Sequence, residues 1–255
     1  MIQLGRAFGI PIRLQATWFV VVAIVTSSLA VAYFPRVLPQ TSALAHWSWA
    51  VGAAALLFAS LVIHELAHAL VARRFGMRVR SITLHALGGV SEMIDEPAHP
   101  RAEFVIAIAG PVMSFALAGF AGVVRMAGGG SPAVDAMVDY LGTANLVIAV
   151  FNLAPAFPLD GGRMLRAALW AWRGQLPWAT RVAAIVGRAC GLALAAVGVT
   201  SALGRGSIVT GLWLIMLGIF IHEAARAGGA IVEVREYELG EGRSSPLQTS
   251  STREV

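Results

Sequence analysis

Long apolar blocks alternate with short polar stretches along the whole chain. Blocks of this length predict membrane-spanning helices rather than the core of a water-soluble domain. The fourth block is the most irregular, because it contains Asn145 and Asn152 and runs into Pro155 and Pro158. An interrupted span indicates a functional site, since irregular backbone is tolerated at membrane depth only where protein or water satisfies its hydrogen-bonding groups. The six predicted spans are residues 17–34, 47–71, 104–124, 138–153, 183–203 and 208–221.

The polar stretches add two smaller elements. Residues 76–100 contain β-prone alternation followed by a Gly88-Gly89 turn, which predicts a small β-hairpin or re-entrant loop at the membrane border. Residues 163–173 predict a short amphipathic surface helix that ends at Gly174. The predicted fold is therefore an all-α membrane protein, a bundle of six transmembrane helices with this small β element. Residues 1–236 are expected to form one membrane domain, and residues 237–255 a disordered polar tail.

Composition agrees with a bilayer environment. Hydrophobic residues make up 57% of the chain, charged residues 13%, and the mean hydropathy is +0.73. An ordinary soluble domain is about 25% charged, so this chain has too little polar surface to cover a globule. The single cysteine, Cys190, excludes an intrachain disulfide and a cysteine-based zinc site.

The basic charge is explained by membrane topology. The net charge is +5, and all 19 basic residues are arginines scattered between the apolar blocks. This pattern argues against nucleic acid as a partner. With six spans, 16 arginines fall on the side of the two termini, and only Arg36, Arg125 and Arg205 fall on the other. The positive-inside rule then predicts a multi-pass protein of the cell (inner) membrane with both termini in the cytoplasm.

The chemistry begins in the second span, with the sequence His64-Glu65-Leu66-Ala67-His68. Residues four apart lie on one face of a helix, so both imidazoles can reach one metal ion. Glu65 stands beside them, in position to accept a proton from water. The alternative interpretation is a polar helix–helix contact, but such residues are expensive in a membrane helix unless they are paired or functional.

A catalytic zinc ion takes three protein ligands and keeps an open fourth position. Asp160 is the best-placed third ligand, because it follows the interrupted fourth span and precedes Gly161-Gly162. The second and fourth spans run in the same direction, so His64 and Asp160 lie towards the same side of the membrane. The other candidates are His85, Glu92, Asp95, Glu96, His99 and His222.

Four motifs between residues 64 and 162 together resemble the site-2 protease family of intramembrane zinc metalloproteases. They are His64 to His68, the Gly88-Gly89 loop, Ala109-Gly110-Pro111, and Asn152 through Asp160-Gly161-Gly162. The resemblance implies that one zinc ion is bound by His64, His68 and Asp160, that Glu65 is the general base, and that Asn152 helps to hold the substrate or its oxyanion. One departure is Ser114, where relatives often have Asn, which is expected to weaken a local hydrogen bond.

The resemblance also implies a function. The expected activity is zinc-dependent endoproteolysis in or near the transmembrane segment of a single-span regulator of the anti-sigma or pro-sigma factor type. A non-proteolytic membrane zinc protein, such as a metal transporter, is the alternative. The layout without a PDZ insert resembles the sporulation-protease branch, whose members often carry CBS domains after the last span. Whether such a region belongs to this protein, and whether the protein forms oligomers, are left open.

A substrate helix must unwind before it is cut, because its backbone groups are already hydrogen-bonded to one another. The unwound residues need new partners, since unpaired polar groups at that depth cost several kcal/mol. An extended segment over residues 87–91 could supply them by adding the substrate as a strand. This argument predicts that Gly88, Gly89 and Val90 contact the substrate.

Overall fold

The computed structural model describes residues 1–85, 88–157, 159–204 and 207–244. Its helices are α1 (Ala16–Ser28), α2 (Phe34–Val37), α3 (Ala43–Arg74), α4 (Pro100–Ala127), α5 (Pro132–Asn152), α6 (Asp160–Arg173), α7 (Leu176–Leu203) and α8 (Ile208–Ser244). A π-helical segment, Leu29–Tyr33, joins α1 to α2. The strands are β1 (Ile2–Ala7), β2 (Ile10–Leu14), β3 (Val79–His85) and β4 (Gly88–Met93).

Six helical segments of the described chain are long and apolar enough to cross a membrane, which confirms the predicted fold class. They are Ala16–Val37, Ala43–Arg74, Pro100–Ala127, Pro132–Asn152, Leu176–Leu203 and Ile208–Gly228. Many of their large apolar side chains are exposed, among them Val20, Val51 and Phe120. Side chains of this kind on the outside of a bundle suit a hydrocarbon environment rather than water.

The fourth span differs from the prediction in one respect. Helix α5 is continuous over 21 residues, and the interruption begins only after Asn152. Asn145 lies inside this helix, where its Nδ2 donates to the carbonyl of Leu141 at 2.9 Å. An asparagine can be accommodated in this way without breaking a helix, so the irregular backbone is confined to the segment before Asp160.

The β element is larger than predicted. β3 and β4 form the expected hairpin, but β3 also pairs in parallel with β2, and β2 pairs with β1, so the sheet has the order β1-β2-β3-β4. The alternation of Ile10, Ile12 and Leu14 after Gly9 was the available signal for this N-terminal hairpin. Buried Ile10 and Ile82 pack on Ala69, which fixes the sheet against α3.

Helices α7 and α8 form a close pair. Gly191 lies against the backbone of Gly218 and His222, and Gly198 lies against Gly211 and Ile215. Glycine at these positions lets the two backbones approach each other, as in small-residue membrane helix pairs. The small-residue face of α7 is therefore used within the chain.

The predicted surface helix corresponds to α6, which ends at Arg173 with Gly174 in the left-handed conformation. The backbone of α8 remains helical to Ser244, beyond the point at which the tail was predicted to begin. Residues 245–255 of that tail lie outside the described residues, and the division into domain and tail stays a prediction.

Candidate metal centre

Helix α3 presents the two histidines of the motif on one buried face. His64 is 4% exposed and His68 is 3% exposed, and their Nε2 atoms are 3.3 Å apart. The four-residue spacing produces this arrangement, because it stacks the side chains one turn apart. Both rings therefore direct the same nitrogen towards one point.

Helix α6 brings Asp160 to that point from the other side. Its Oδ2 lies 3.2 Å from His64 Nε2, and its Oδ1 lies 3.3 Å from His68 Nε2. Asp160 is the first residue of α6, where the positive end of the helix dipole favours a carboxylate. A side chain at Gly161 would overlap the carbonyls of Leu153 and Ala154, so this helix start can pack closely on the preceding loop only with glycine.

The carboxyl group of Asp160 is held in its charged form. Burial by itself raises the pKa of this group, but the adjoining imidazoles of His64 and His68 outweigh burial and hold the pKa below its ordinary value. A metal-binding carboxylate must be ionised, so this environment suits a ligand.

The three groups fit a zinc ion. Ligand atoms at about 2.0–2.1 Å from a tetrahedral zinc ion are separated from one another by about 3.3–3.4 Å, simply by tetrahedral geometry. The observed separations of 3.2 to 3.3 Å among the three donors match this value. Two imidazoles and one carboxylate are also a donor set of hydrolytic zinc sites. Their role as ligands stays a prediction.

Gly110 makes room for both imidazoles. A Cβ at this position of α4 would overlap the Nε2 atoms of His64 and His68. The backbone of α4 therefore passes directly beside the two nitrogens that face Asp160. A glycine here keeps the volume at the convergence point free of protein side chains.

Helix α4 also orients the two imidazoles through contacts with their Nδ1 atoms. The Nδ1 atom of His64 lies 2.9 Å from Ser114 Oγ, and the Nδ1 atom of His68 lies 2.6 Å from the carbonyl oxygen of Ile106. With Nδ1 donating to these oxygens, each Nε2 carries the free lone pair that a metal needs. Ser114, which was predicted to weaken a local hydrogen bond relative to Asn, contacts His64 directly, and its strength relative to Asn stays a prediction. The four-residue spacing of Gly110 and Ser114 on one helix face was the signal available for this contact.

Glu65 lies half-buried beside the metal centre and against the β element. A Cβ at Gly89 would come within 2.9 Å of Glu65 Oε1 and within 2.8 Å of its Cδ. The backbone of β4 therefore runs directly over the carboxylate that was predicted to act as the base.

The remaining predicted site residues have different surroundings. Asn152 is the last residue of α5, and its Nδ2 donates to the carbonyl oxygen of Ile148 at 3.0 Å. One amide hydrogen is used in this bond and a second remains, because the amide group carries two. Gly88 and Val90 belong to β4, opposite His85 and Thr83 of β3, while Leu87 lies outside the described residues. The contribution of these residues to substrate binding stays a prediction.

Three of the alternative ligand candidates have other partners. Asp95 accepts hydrogen bonds from Arg78, His99 caps the start of α4 through Ala102, and His222 lies 3.3 Å from the carbonyl oxygen of Arg188. Within the described residues, His64, His68 and Asp160 form the group whose ligand atoms all lie within 4.8 Å of one another.

Comparison with known proteins agrees with this geometry. The family model of peptidase family M50 matches residues 52–138 and 120–197. The chain is 41% identical over 228 residues to the putative zinc metalloprotease Rip3 of Mycobacterium tuberculosis, covering 88% of this chain and 58% of that protein. It is 36% identical over 243 residues to the putative zinc metalloprotease sll0528 of Synechocystis, covering 92% of this chain and 61% of that protein. The chain thus spans about three fifths of the length of these curated relatives.

A solved structure has the same fold. The site-2 protease from Methanocaldococcus jannaschii superposes with a TM-score of 0.62 at 29% sequence identity, and the match covers 89% of this chain and 94% of that one. The family match, the multi-pass membrane architecture and a donor set suited to zinc all agree with one another. The chain therefore belongs to peptidase family M50, the site-2 protease family of membrane zinc metalloproteases.

Proposed function

We propose that this chain is a zinc-dependent endopeptidase that cleaves a peptide bond in or beside a transmembrane segment of another protein. The convergence of two imidazoles and one carboxylate, next to Glu65 and inside a membrane bundle, carries the proposal. The alternative, a metal transporter, would favour ionisable groups along a path through the bundle. Here His64, His68 and Asp160 are gathered at one point instead.

The proposed roles follow from the contacts. His64, His68 and Asp160 hold the metal, and Ser114 and the carbonyl of Ile106 keep the two imidazoles in the ligating tautomer. When bound, the zinc ion polarises the scissile carbonyl and lowers the pKa of a water molecule. Glu65 accepts a proton from the attacking water and delivers it to the leaving amine.

The substrate is proposed to bind as an added strand. β4 ends the sheet, so one of its two edges is not paired with another strand of the described sheet. Its backbone at Gly89 lies against Glu65, so a segment paired to β4 would pass beside the base and the metal centre. Gly88, Gly89 and Val90 would then satisfy the backbone of an unwound substrate. Asn152 contributes a hydrogen bond to the substrate carbonyl or its oxyanion.

The proposed substrates are single-span regulatory proteins tethered to the membrane, of the anti-sigma or pro-sigma factor type. One relative, which is 33% identical over 106 residues, is the stage IV sporulation protein FB of Bacillus subtilis. The arginine distribution supports a location in the cell membrane with both termini and the metal centre on the cytoplasmic side. Zinc is proposed to bind once per chain.

The first experiment tests hydrolysis directly. Purified protein is analysed for zinc and then incubated with single-span candidate substrates, with and without a chelator. Cleavage that is lost with the chelator and restored by zinc is the expected result. The matched variant Glu65→Gln should keep its zinc and lose cleavage, since an amide cannot accept the proton. Zinc transport by the protein in liposomes, without cleavage of any substrate, would contradict the proposal.

A second experiment tests the substrate strand. Val90→Pro and Ser91→Pro each delete one backbone donor, and successive residues of a strand direct their donors to opposite edges. One of the two variants should therefore lower turnover by about tenfold, equivalent to one hydrogen bond, with zinc retained. Equal turnover of both variants and of the unchanged protein would exclude strand addition.

A third experiment tests the orientation. Trp172 of α6 is 78% exposed, so Trp172→Cys in a Cys190→Ala background gives one accessible thiol. A membrane-impermeant thiol reagent should label this residue only from the cytoplasmic side. Labelling of intact cells from outside would reverse the proposed topology.

A further inference from the structure

A fully buried carboxylate lies outside the predicted metal centre. Glu103 of α4 has no exposed surface, and its Oε1 accepts hydrogen bonds from Nε of Arg166, at 2.7 Å, and from Nη2 of the same guanidinium. The Oε2 atom of Glu103 is buried without a hydrogen-bond partner among the described residues. A buried ion pair is weak evidence for stability, because desolvation offsets the attraction. The pair therefore calls for another explanation.

The positions of Glu103 and Arg166 in their helices suggest that the ion pair places α6 relative to α4. Asp160 and Arg166 are separated by six residues of α6, about 9 Å along its axis, and Gly110 and Glu103 are separated by seven residues of α4, about 10.5 Å. Asp160 lies at the two histidines beside Gly110, and Arg166 lies at Glu103. Helices α4 and α6 are thus antiparallel, and two polar contacts with closely matched separations lie along their packed faces.

Two attachment points restrict a helix more than one does. With the Asp160 contact alone, α6 could shift or tilt relative to α4 and carry the carboxylate away from the imidazoles. The Glu103–Arg166 contact, almost two turns further along α6, opposes this movement. Two donors of one planar guanidinium meet the same oxygen, Oε1 of Glu103, which gives a directional restraint that a flexible lysine would not provide.

Phe157 connects the same arginine to the α7–α8 pair. The guanidinium carbon of Arg166 lies 5.4 Å from the centre of the Phe157 ring. The backbone of Phe157 lies against Gly187 of α7, and its ring lies against Gly228 of α8. Arg166 therefore contacts both a carboxylate of α4 and an aromatic ring.

We propose that Glu103 and Arg166 are positioning residues whose buried ion pair holds Asp160 at the distance from His64 and His68 that zinc binding requires. Neither residue belongs to the group of candidate metal donors. The inference rests on the proposed function only in treating His64, His68 and Asp160 as the ligands of a zinc ion.

The test measures metal binding without any substrate. Glu103→Gln keeps the shape of the side chain and removes its charge, and Arg166→Lys keeps the charge and removes the paired Nε and Nη2 donors. Folded monodisperse protein is isolated by gel filtration, its zinc affinity is measured by competition with a chromogenic chelator, and its cobalt-substituted form is examined by visible spectroscopy. The control is Asp139→Asn, which breaks the Arg125–Asp139 pair (2.7 Å) between α4 and α5.

A positioning role predicts that zinc affinity falls about 10- to 100-fold in Glu103→Gln, as is typical for groups that orient metal ligands. The cobalt spectrum should change as well, since it reports ligand geometry. Arg166→Lys should give a smaller loss, and Asp139→Asn should match the unchanged protein in both measurements. If Glu103→Gln does not fold, the zinc affinities of Arg166→Lys and Asp139→Asn decide whether the ion pair positions Asp160.

Unchanged zinc affinity and an unchanged cobalt spectrum in the folded variants would overturn the proposal and leave the pair a structural contact. A failure of the proposed proteolytic function can be distinguished from a failure of the positioning proposal. In that case the unchanged protein would bind zinc and cleave no substrate, while the affinities of the variants would still separate a positioning role from a structural one.

Discussion

Two helix pairs in this molecule have glycine where a side chain would overlap the facing helix, and the glycines make room for different groups. Between α3 and α4, Gly110 leaves space for the nitrogens of two imidazoles. Between α7 and α8, Gly191 and Gly198 leave space for the backbone of the facing helix. The first contact is surrounded by polar partners, namely Ser114, the carbonyl of Ile106 and Asp160.

The difference shows that glycine makes room for polar side chains in one place and for backbone in the other. At Gly110 the space is filled by the two imidazoles proposed to bind zinc, so a methyl group there should affect metal binding before stability. At Gly191 the space is filled by backbone, so a methyl group should affect stability before metal binding. The following predictions, ordered from the largest effect to the smallest, test this separation.

Gly110→Ala should abolish zinc binding, because its Cβ would overlap both nitrogens that are proposed to bind zinc. We expect loss of zinc from the purified protein and a fall in cleavage of more than about 100-fold, beyond the effect of losing one orienting group. Metal analysis and a peptide-cleavage assay provide the measurement. Gly119→Ala in the same helix is the control, since a Cβ at Gly119 meets nothing within 4 Å. A zinc-loaded Gly110→Ala variant would show that the imidazoles point elsewhere.

Ser114→Ala should weaken zinc binding without abolishing it. The substitution leaves His64 Nδ1 without its partner at 2.9 Å, so the ring is no longer held in the ligating tautomer. Loss of such an orienting partner typically costs about 10- to 100-fold in metal affinity. Chelator competition measures the change, and Ser48→Ala serves as control, because that exposed serine bonds only within its own helix. Equal affinities of the two variants would remove Ser114 from the metal centre.

Gly191→Ala should lower the stability of the bundle while leaving the zinc affinity of the folded protein unchanged. Its Cβ would come within 2.6 Å of the carbonyl oxygen of Gly218 and 2.7 Å of the backbone nitrogen of His222. Overpacking of this kind costs about 1–3 kcal/mol of unfolding free energy. Thermal unfolding in detergent compares this variant with Gly122→Ala, where a Cβ has no neighbour within 4 Å. Loss of zinc at unchanged stability would contradict the separation of the two contacts.

Asp95→Asn should have the smallest effect, and only in a defined pH range. The hydrogen bonds from Arg78 lower the pKa of Asp95 to about 2. A carboxyl group with a lowered pKa contributes stability above its ordinary pKa of 3.8, and that contribution disappears as the pH falls through about 2. The unfolding temperatures of the variant and the unchanged protein should therefore differ slightly at pH 5 and converge towards pH 2. A difference that grows on acidification would contradict this assignment. The pair is exposed, so zinc binding should be unaffected.

Several features could be read directly from local sequence. Hydrophobic blocks of sufficient length predict membrane spans whatever their neighbours are, and all six were placed correctly apart from their ends. The spacing of His64 and His68 depends only on helix geometry, so it predicts their common face. The break after Asn152 and the glycines after Asp160 indicated a close approach of backbone before any contact was known.

Other features depend on pairs of residues far apart in the chain. Ser114 lies 50 residues from His64, Ile106 lies 38 residues from His68, and Arg166 lies 63 residues from Glu103. Local periodicity contains no information about which buried polar groups meet across such distances. The same limitation hid the parallel pairing of β2 with β3, because the intervening helices bring the two strands together.

The sequence by itself determined the membrane environment, the family and the identity of the groups available to hold a metal, because these follow from hydrophobicity, spacing and residue type. Only the tertiary structure decided how those groups are oriented. The positions of Asp160 and the two imidazoles depend on helices α3, α4 and α6 packing against one another, and on polar groups that must find partners once they are removed from water. Such partners are selected by the packed geometry of the whole bundle, which no single segment of the chain specifies.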